Sequence, residues 1–175
     1  WGLWQLSRLA NGSPELTDLF DQGVDAVRAA LAGGDVGGFG AALADFMREY
    51  GQRGPNEWDI RAVSWEAGPE QALALVASMR HSPDENSPDA RHARLEAKRN
   101  AAADDIRTAL ADDGATLQSF ELGLKSAAQV IPLREKTKLL CVTTINEVRM
   151  AIRELGRRGV EAGRFKAPED VMMLL

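Results

Sequence analysis

The chain has 175 residues, of which 45% are hydrophobic and 27% are charged, and its formal net charge is −5. A chain of this length and composition can bury one sizeable core and is ordinary for a soluble globular protein. The negative charge argues against general nucleic-acid binding, which requires a clustered basic face that displaces counterions. A single cysteine, Cys141, excludes an internal disulfide and cannot form a zinc site by itself.

The apolar runs of the sequence bear on the location of the protein, and its two ends bear on whether it is part of a longer chain. No apolar run approaches the ~20 residues that are needed to cross a bilayer, and no signal-peptide pattern opens the chain. We therefore expect a cytoplasmic protein without a membrane partner. The chain opens on Trp1 and closes on an apolar run at 171–175. We expect residues 1–175 to be a single helical domain that is a fragment of a larger multidomain protein.

Apolar residues recur at three- and four-residue steps along almost the whole sequence. This periodicity predicts an all-α fold: an irregular multi-helix domain with a long helical hairpin, one extended loop segment and no substantial sheet. Ser13 is expected to cap the second helix, which has a proline at its first position. The predicted helices cover Trp1 to Ala10, Pro14 to about Ala32, Val36 to just before Gly51, Pro69 to Met79, Asp89 to Ala111, and Leu133 to Gly159.

The predicted hairpin follows an interruption in the helical pattern. Residues 81–88 contain two prolines and several small polar residues, which predicts an exposed linker within the domain. The helix from Asp89 to Ala111 is expected to pair with Thr116 to Val130 across a turn at 112–114. Its first half is basic, but it lacks the interleaved aromatic residues on which nucleic-acid bases stack.

Residues 50–60 form the most informative segment, because charged and amide side chains lie between backbone breakers and aromatic residues. Gly51 can end the preceding helix with a positive φ, after which a turn and an extended run are expected. Enclosed charges must be paired or hydrogen-bonded, so Arg53, Glu57 and Asp59 are expected to form one network. The network is either a structural ion pair that fixes the loop or a part of a binding site.

The same segment carries a family resemblance. Residues Phe46 to Ile60, followed by Trp65, resemble the central helical region of phosphoenolpyruvate-utilising phosphotransferases of the rifampicin phosphotransferase type. A weaker similarity covers Trp1 to Ala10, and a clearer one runs from Arg134 to Val171, so the resemblance spans nearly the whole chain. Many members carry His or another residue where this chain has Gln52.

The last predicted helix carries two cations whose direction can be predicted from the helical period. At about 100° per residue, four side chains share the stripe that is expected to face the core: Cys141, Ile145, Val148 and Ile152. Arg134 and Lys138 lie within roughly 40° of the centre of this stripe. Two cations one turn apart repel each other mildly, so an anionic group is expected near them.

Two interpretations of Arg134 and Lys138 are open from the residues alone. They extend outward or pair with Glu57 or Asp59, or they line a cavity that faces a phosphate. The resemblance implies the second, since a basic Arg and Lys at matching positions lie near the acceptor hydroxyl. The expected catalytic residues are therefore Arg134 and Lys138, and the expected substrate-binding or structural network is Gln52, Arg53, Glu57, Trp58 and Asp59.

The resemblance also implies a function. The chain would be the acceptor-binding domain of a phosphotransferase in which ATP, with Mg²⁺, charges a histidine that passes phosphoryl to a hydroxyl-bearing small molecule. The implied partners are that molecule and the flanking nucleotide-binding and phosphohistidine domains of the same chain. The fragment alone is expected to be inactive and to hold no cofactor or metal. A non-catalytic small-molecule-binding module and a structural helical spacer are the alternatives.

Overall fold

The fold was obtained as a computed structural model, which describes residues 1–174. Within this range the chain is all-α and contains no strand, which confirms the predicted fold class. It forms two compact units, one made of residues 1–81 with the chain from 139 onward, and one made of residues 82–138. No helix in the described range combines the length and the apolar character that a membrane span requires.

The helices follow the chain with short connections. In order they are α1 (Gly2–Asn11), α2 (Pro14–Gln22), α3 (Val24–Gly33), α4 (Phe39–Tyr50), α5 (Pro69–Met79), α6 (Pro88–Ala109) and α7 (Gly114–Glu161). Two 3₁₀ turns cover Asp84–Asn86 and Pro168–Leu174.

The predicted single helix from Pro14 to about Ala32 is wrong, because the chain breaks at Gly23 into α2 and α3. Gly23 has φ +112°, a conformation that L side chains rarely adopt. The predicted cap is confirmed, since the Ser13 hydroxyl accepts a hydrogen bond from the backbone N–H of Leu16 at 3.3 Å. The positive φ of Gly23 therefore separates two helices that share one apolar period.

Glycines also limit α4 at both ends. The helix begins at Phe39 rather than near Val36, because Gly38 before it has φ +78°. At the other end the predicted positive φ of Gly51 is wrong, since its φ is −58°. A Cβ at Gly51 would lie 2.4 Å from the carbonyl oxygen of Met47. Gly51 is thus required for close approach of the backbone, not for a left-handed conformation.

The predicted start of a new helix near Leu133 is also wrong, because α7 runs without a break through Pro132. A proline inside a helix removes one backbone donor and frees the carbonyl four residues earlier. That carbonyl belongs to Ala128, which is exposed, so water can replace the lost hydrogen bond.

The core of the first unit is formed by the five helices α1 to α5. Its buried apolar side chains come from all five helices and are Leu6, Ala10, Leu16, Phe20, Val27, Phe39, Phe46, Ala72, Leu73 and Val76. Phe20 and Phe39 meet edge to face with ring centres 5.5 Å apart.

Arg80 follows α5 and is 7% exposed. It donates to Asn11 Oδ1 at 2.9 Å and to Asp21 Oδ1 at 3.1 Å, which joins α5 to the first two helices.

The second unit contains the predicted hairpin of α6 and the first part of α7. Arg107 on α6 donates to both carboxylate oxygens of Glu121 on α7, at 2.5 and 3.2 Å. This hydrogen bonding lowers the pKa of Glu121. Before the hairpin, residues 83–86 of the predicted linker are exposed, and Arg94 donates to the Glu85 carbonyl oxygen at 2.6 Å.

Candidate functional site

The loop between α4 and α5 folds back on itself instead of forming the predicted extended run. The N–H of Trp65 donates to the Arg53 carbonyl oxygen at 2.8 Å, and the N–H of Glu66 donates to that of Gly51 at 2.8 Å. These two bonds close the base of the loop. Between them the chain passes through successive turns, with Asn56 at φ +53°. The turns keep the side-chain pairs of the loop local, between residues two to four positions apart.

Two ion pairs stand in this loop. The Nε of Arg53 donates to Glu57 Oε1, and the Glu57 side chain is only 11% exposed. The carboxylate of Asp59 accepts from the backbone N–H and the Nε of Arg61, at 2.9 and 3.4 Å. These hydrogen bonds lower the pKa of Asp59, with the backbone N–H of Arg61 contributing most. The side chains of the three predicted network residues thus belong to two pairs.

A buried arginine on α7 holds the backbone of the same loop. Arg149 is 1% exposed. Its Nη2 donates to the carbonyl oxygens of Asp59 and Glu57, at 2.9 and 3.2 Å, and its Nε donates to that of Ile60 at 3.3 Å. Three carbonyl groups within four residues of the loop therefore point at one guanidinium. Because those carbonyls point inward, they fix the path of the chain from 57 to 60.

Asn146 connects Arg149 to Glu66, near the end of the loop. It is 1% exposed, its Oδ1 accepts from Arg149 Nη1 at 2.9 Å, and its Nδ2 donates to Glu66 Oε2 at 2.8 Å. Burial is the main cause that lowers the pKa of Arg149, and the nearby charge of Arg153 adds to it. An arginine still keeps its charge in such surroundings, so the loop carbonyls and the amide solvate a permanent cation.

The comparison with known families shows to which family the chain belongs. The sequence profile described as the rifampicin phosphotransferase fourth domain matches residues 2–135. The chain belongs to this family. No curated protein and no solved structure matches the chain significantly. The matched range includes the loop between α4 and α5 and Arg134, while Lys138, Asn146 and Arg149 lie beyond it.

In this rifampicin phosphotransferase fourth domain, the predicted inward stripe of α7 is wrong. Cys141 and Val148 are exposed, and Ile145 and Ile152 are only half-buried. The buried face is instead formed by residues spaced four, three, seven and three apart, which are Val142, Asn146, Arg149, Gly156 and Gly159. Two of these residues are polar, Asn146 and Arg149, and two are glycines, so hydrophobic periodicity indicated another face of the helix. The spacing of Val142, Asn146 and Arg149 was the available signal.

The remaining predicted site residues of this fourth domain are in different settings. Arg134 and Lys138 lie one turn apart on α7 within the second unit, Arg134 exposed and Lys138 half-buried. The Nε2 of Gln52 donates to the Glu49 carbonyl oxygen at 3.0 Å. Trp58 is 59% exposed although the backbone on both sides of it is anchored. The catalytic role of Arg134 and Lys138 stays a prediction.

Replacing Glu57 by Ala should destabilise the protein by about 1–3 kcal/mol, because the Arg53 guanidinium then loses its partner in a partly enclosed site. Arg53→Ala should cost at least as much, since it takes the guanidinium away from the Glu57 carboxylate, whose side chain is only 11% exposed. Urea unfolding followed by circular dichroism measures both. Arg48→Ala is the control, because its pair with Asp45 is on the surface, with both side chains more than 70% exposed. Unchanged midpoints for both loop variants would show that the pair is solvated.

Proposed function

We propose that this chain is the acceptor-binding domain of a multidomain, ATP-dependent phosphotransferase that works through a phosphohistidine. The family match over residues 2–135 is the observation that carries the proposal. In this proposal ATP and Mg²⁺ act in a flanking nucleotide-binding domain and charge a histidine on another domain of the same polypeptide. The histidine then delivers phosphoryl to a hydroxyl-bearing small molecule held by this chain. We also propose that the reaction takes place in the cytoplasm.

The chemistry of phosphoryl transfer suits a helical binding domain. The transferred group carries charge on its equatorial oxygens, so catalysis is mostly positioning and charge neutralisation. In the proposal, Arg134 offers a planar fork of donors to those oxygens and Lys138 offers a point charge near the acceptor hydroxyl. Within the first unit, Arg149 fixes the backbone of the loop that carries Trp58 and the Arg53–Glu57 pair, and this rigid surface is what a binding role requires.

One observation favours a second candidate function, a small-molecule-binding module without catalysis. Gln52 stands where many members of the family carry His, and its amide is hydrogen-bonded to the Glu49 carbonyl oxygen. An amide cannot carry a proton as an imidazole does at neutral pH. A chain of this second kind would bind the small molecule and leave it unphosphorylated. The spacer alternative would bind no small molecule.

The test uses Arg134→Ala and Lys138→Ala in the full-length protein. We expect each variant to lose transfer to the acceptor by about tenfold or more, because a group that stabilises the transition state is removed. Phosphohistidine formation from labelled ATP should stay normal, since it takes place on other domains. Lys136→Ala, an exposed lysine on the same helix, is the matched control.

The outcomes separate the three candidates. Full transfer activity in both variants would overturn the assignment of these two residues. Binding of hydroxyl compounds by calorimetry without any transfer would identify the non-catalytic module. Absence of both binding and transfer in the full-length protein would identify the spacer. Circular dichroism melting of each variant shows whether a loss reflects the site or the folding.

A further inference from the structure

A groove opens between α1 and α4, within the first unit. Its volume is about 470 Å³, and both helices contribute apolar and aromatic side chains to it, among them Trp1, Leu9, Phe46 and Tyr50. Phe46 is buried at 7% exposure, whereas Trp1 is 63% exposed. The groove therefore has a buried aromatic floor and an open aromatic wall. A volume of this size accommodates a small organic molecule.

The floor of this groove belongs to a tilted aromatic stack, in which the rings of Tyr50 and Trp65 are inclined to that of Phe46 by 37° and 32°. The ring of Phe46 lies 5.3 Å from that of Tyr50 and 5.5 Å from that of Trp65, centre to centre. Gly2 permits α1 to start close to this stack, because a Cβ there would lie 2.6 Å from Phe46 Cδ2. The aromatic surface is thus preorganised, which lowers the entropic cost of binding a flat ligand.

The rim of the groove is acidic. Asp45 and Glu49 lie one turn apart on α4 and both line the groove, and none of the lining side chains among residues 1–174 is Lys, Arg or His. Two carboxylates at this spacing on a helix repel each other. Arg48 pairs with Asp45 but reduces this repulsion only weakly, because both side chains of the pair are highly exposed. A cation placed in the groove would face both carboxylates and the aromatic rings at once.

We propose that the groove between α1 and α4 binds a small organic cation that carries a flat apolar ring system. The rings would lie against the Phe46 and Tyr50 stack and replace water there. The ammonium group would be attracted by the carboxylates of Asp45 and Glu49 and by the negative faces of the aromatic rings. This site goes beyond the proposed phosphotransferase function, since binding there needs neither phosphoryl transfer nor a flanking domain.

The probes are three naphthalene compounds of the same ring and nearly the same size. They are 1-naphthylmethylamine, which is a cation at neutral pH, 1-naphthylmethanol, which is neutral, and 1-naphthaleneacetate, which is an anion. Calorimetry with the whole chain should show the amine binding about tenfold more tightly than the alcohol, and the acetate most weakly. The preference for the amine should fall as salt is added, because exposed charges are screened.

Two variants locate the site. Asp45→Asn combined with Glu49→Gln should weaken binding of the amine about fivefold or more and leave the alcohol unchanged. Glu15→Gln combined with Asp18→Asn is the matched control, because it removes the same charge from exposed positions on α2. Gln5→Trp fills the groove from an exposed position without a change of charge, and should reduce the binding of all three probes.

Several results would overturn the inference. They are equal affinity for amine and alcohol, an unchanged affinity in the Asp45 and Glu49 double variant, and undiminished binding in Gln5→Trp. A thermal melt of each variant establishes that the protein tested is folded. Binding of an amphipathic basic peptide in place of the naphthalene amine would show that the groove serves a protein partner, which also contradicts the inference. A failure of transfer in the Arg134 and Lys138 experiment leaves these measurements unaffected.

Discussion

Replacing Arg149 by Met is expected to destabilise the protein by about 3–5 kcal/mol, which is the largest effect among the substitutions considered. Methionine fills similar space but donates no hydrogen bond. The carbonyl groups of Glu57, Asp59 and Ile60 would lose their donor in a buried site. The Oδ1 of Asn146 would lose its donor as well, and each unsatisfied buried acceptor costs about 1–3 kcal/mol.

Urea unfolding gives the loss in stability, and hydrogen exchange shows where it occurs. Arg157→Met is the matched control on the same helix, because the Arg157 side chain is 52% exposed and surface ion pairs contribute little. We expect the backbone amides of residues 57–66 to exchange faster in Arg149→Met than in the control. Equal midpoints for the two variants, with unchanged exchange in the loop, would show that Arg149 does not anchor it.

Parts of the fold that depend on apolar periodicity were predictable from the sequence. Three- and four-residue steps gave the all-α class, and Ser13 and Pro14 marked the start of α2 where the structure has it. The division at Gly23 was not predicted, because a single glycine inside an apolar period costs a helix only about 1 kcal/mol and does not dictate a break. At Pro132 the sequence predicted a break that the structure does not have, because α7 continues through this exposed proline.

The loop between α4 and α5 was predictable as a special segment, but its anchor was not. Charges enclosed by aromatic residues indicated an ion pair, and Arg53 does pair with Glu57. Arg149 was missed because prediction assigns arginine to solvent, and buried arginines are rare unless they are paired. Here the partners are main-chain carbonyl groups more than 85 positions earlier. The spacing of Val142, Asn146 and Arg149 indicates a common face of α7, but it does not identify these partners.

The anchor also explains how the loop between α4 and α5 keeps Trp58 exposed. An isolated loop would allow Trp58 to fold onto nearby apolar surface, because burial of an aromatic ring is favourable. The inward carbonyls of Glu57 and Asp59 oppose this, since they hold the backbone on both sides of Trp58 against Arg149. Burial of the Arg149 guanidinium costs free energy, but its hydrogen bonds hold the loop rigid and keep Trp58 at the surface.

Replacing Gly156 by Ala is expected to destabilise the protein by about 2–3 kcal/mol, although alanine is the better helix former by about 1 kcal/mol. A Cβ at Gly156 would lie 2.1 Å from the carbonyl oxygen of Pro168 and 2.9 Å from its carbonyl carbon. Both atoms belong to the backbone, so no rotation of a side chain relieves the clash. The segment at 165–171 would have to move away from α7.

Gly123→Ala is a control of opposite sign on the same helix. Nothing lies within 4 Å of a Cβ built at Gly123, and its φ is not positive, so the higher helix propensity of alanine should stabilise the protein by about 0.5–1 kcal/mol. Thermal unfolding of both variants should therefore shift the midpoint in opposite directions. The contrast separates packing from propensity, because the chemical change is the same. If Gly156→Ala raised the midpoint as Gly123→Ala does, the close packing of residues 165–171 on the end of α7 would be refuted.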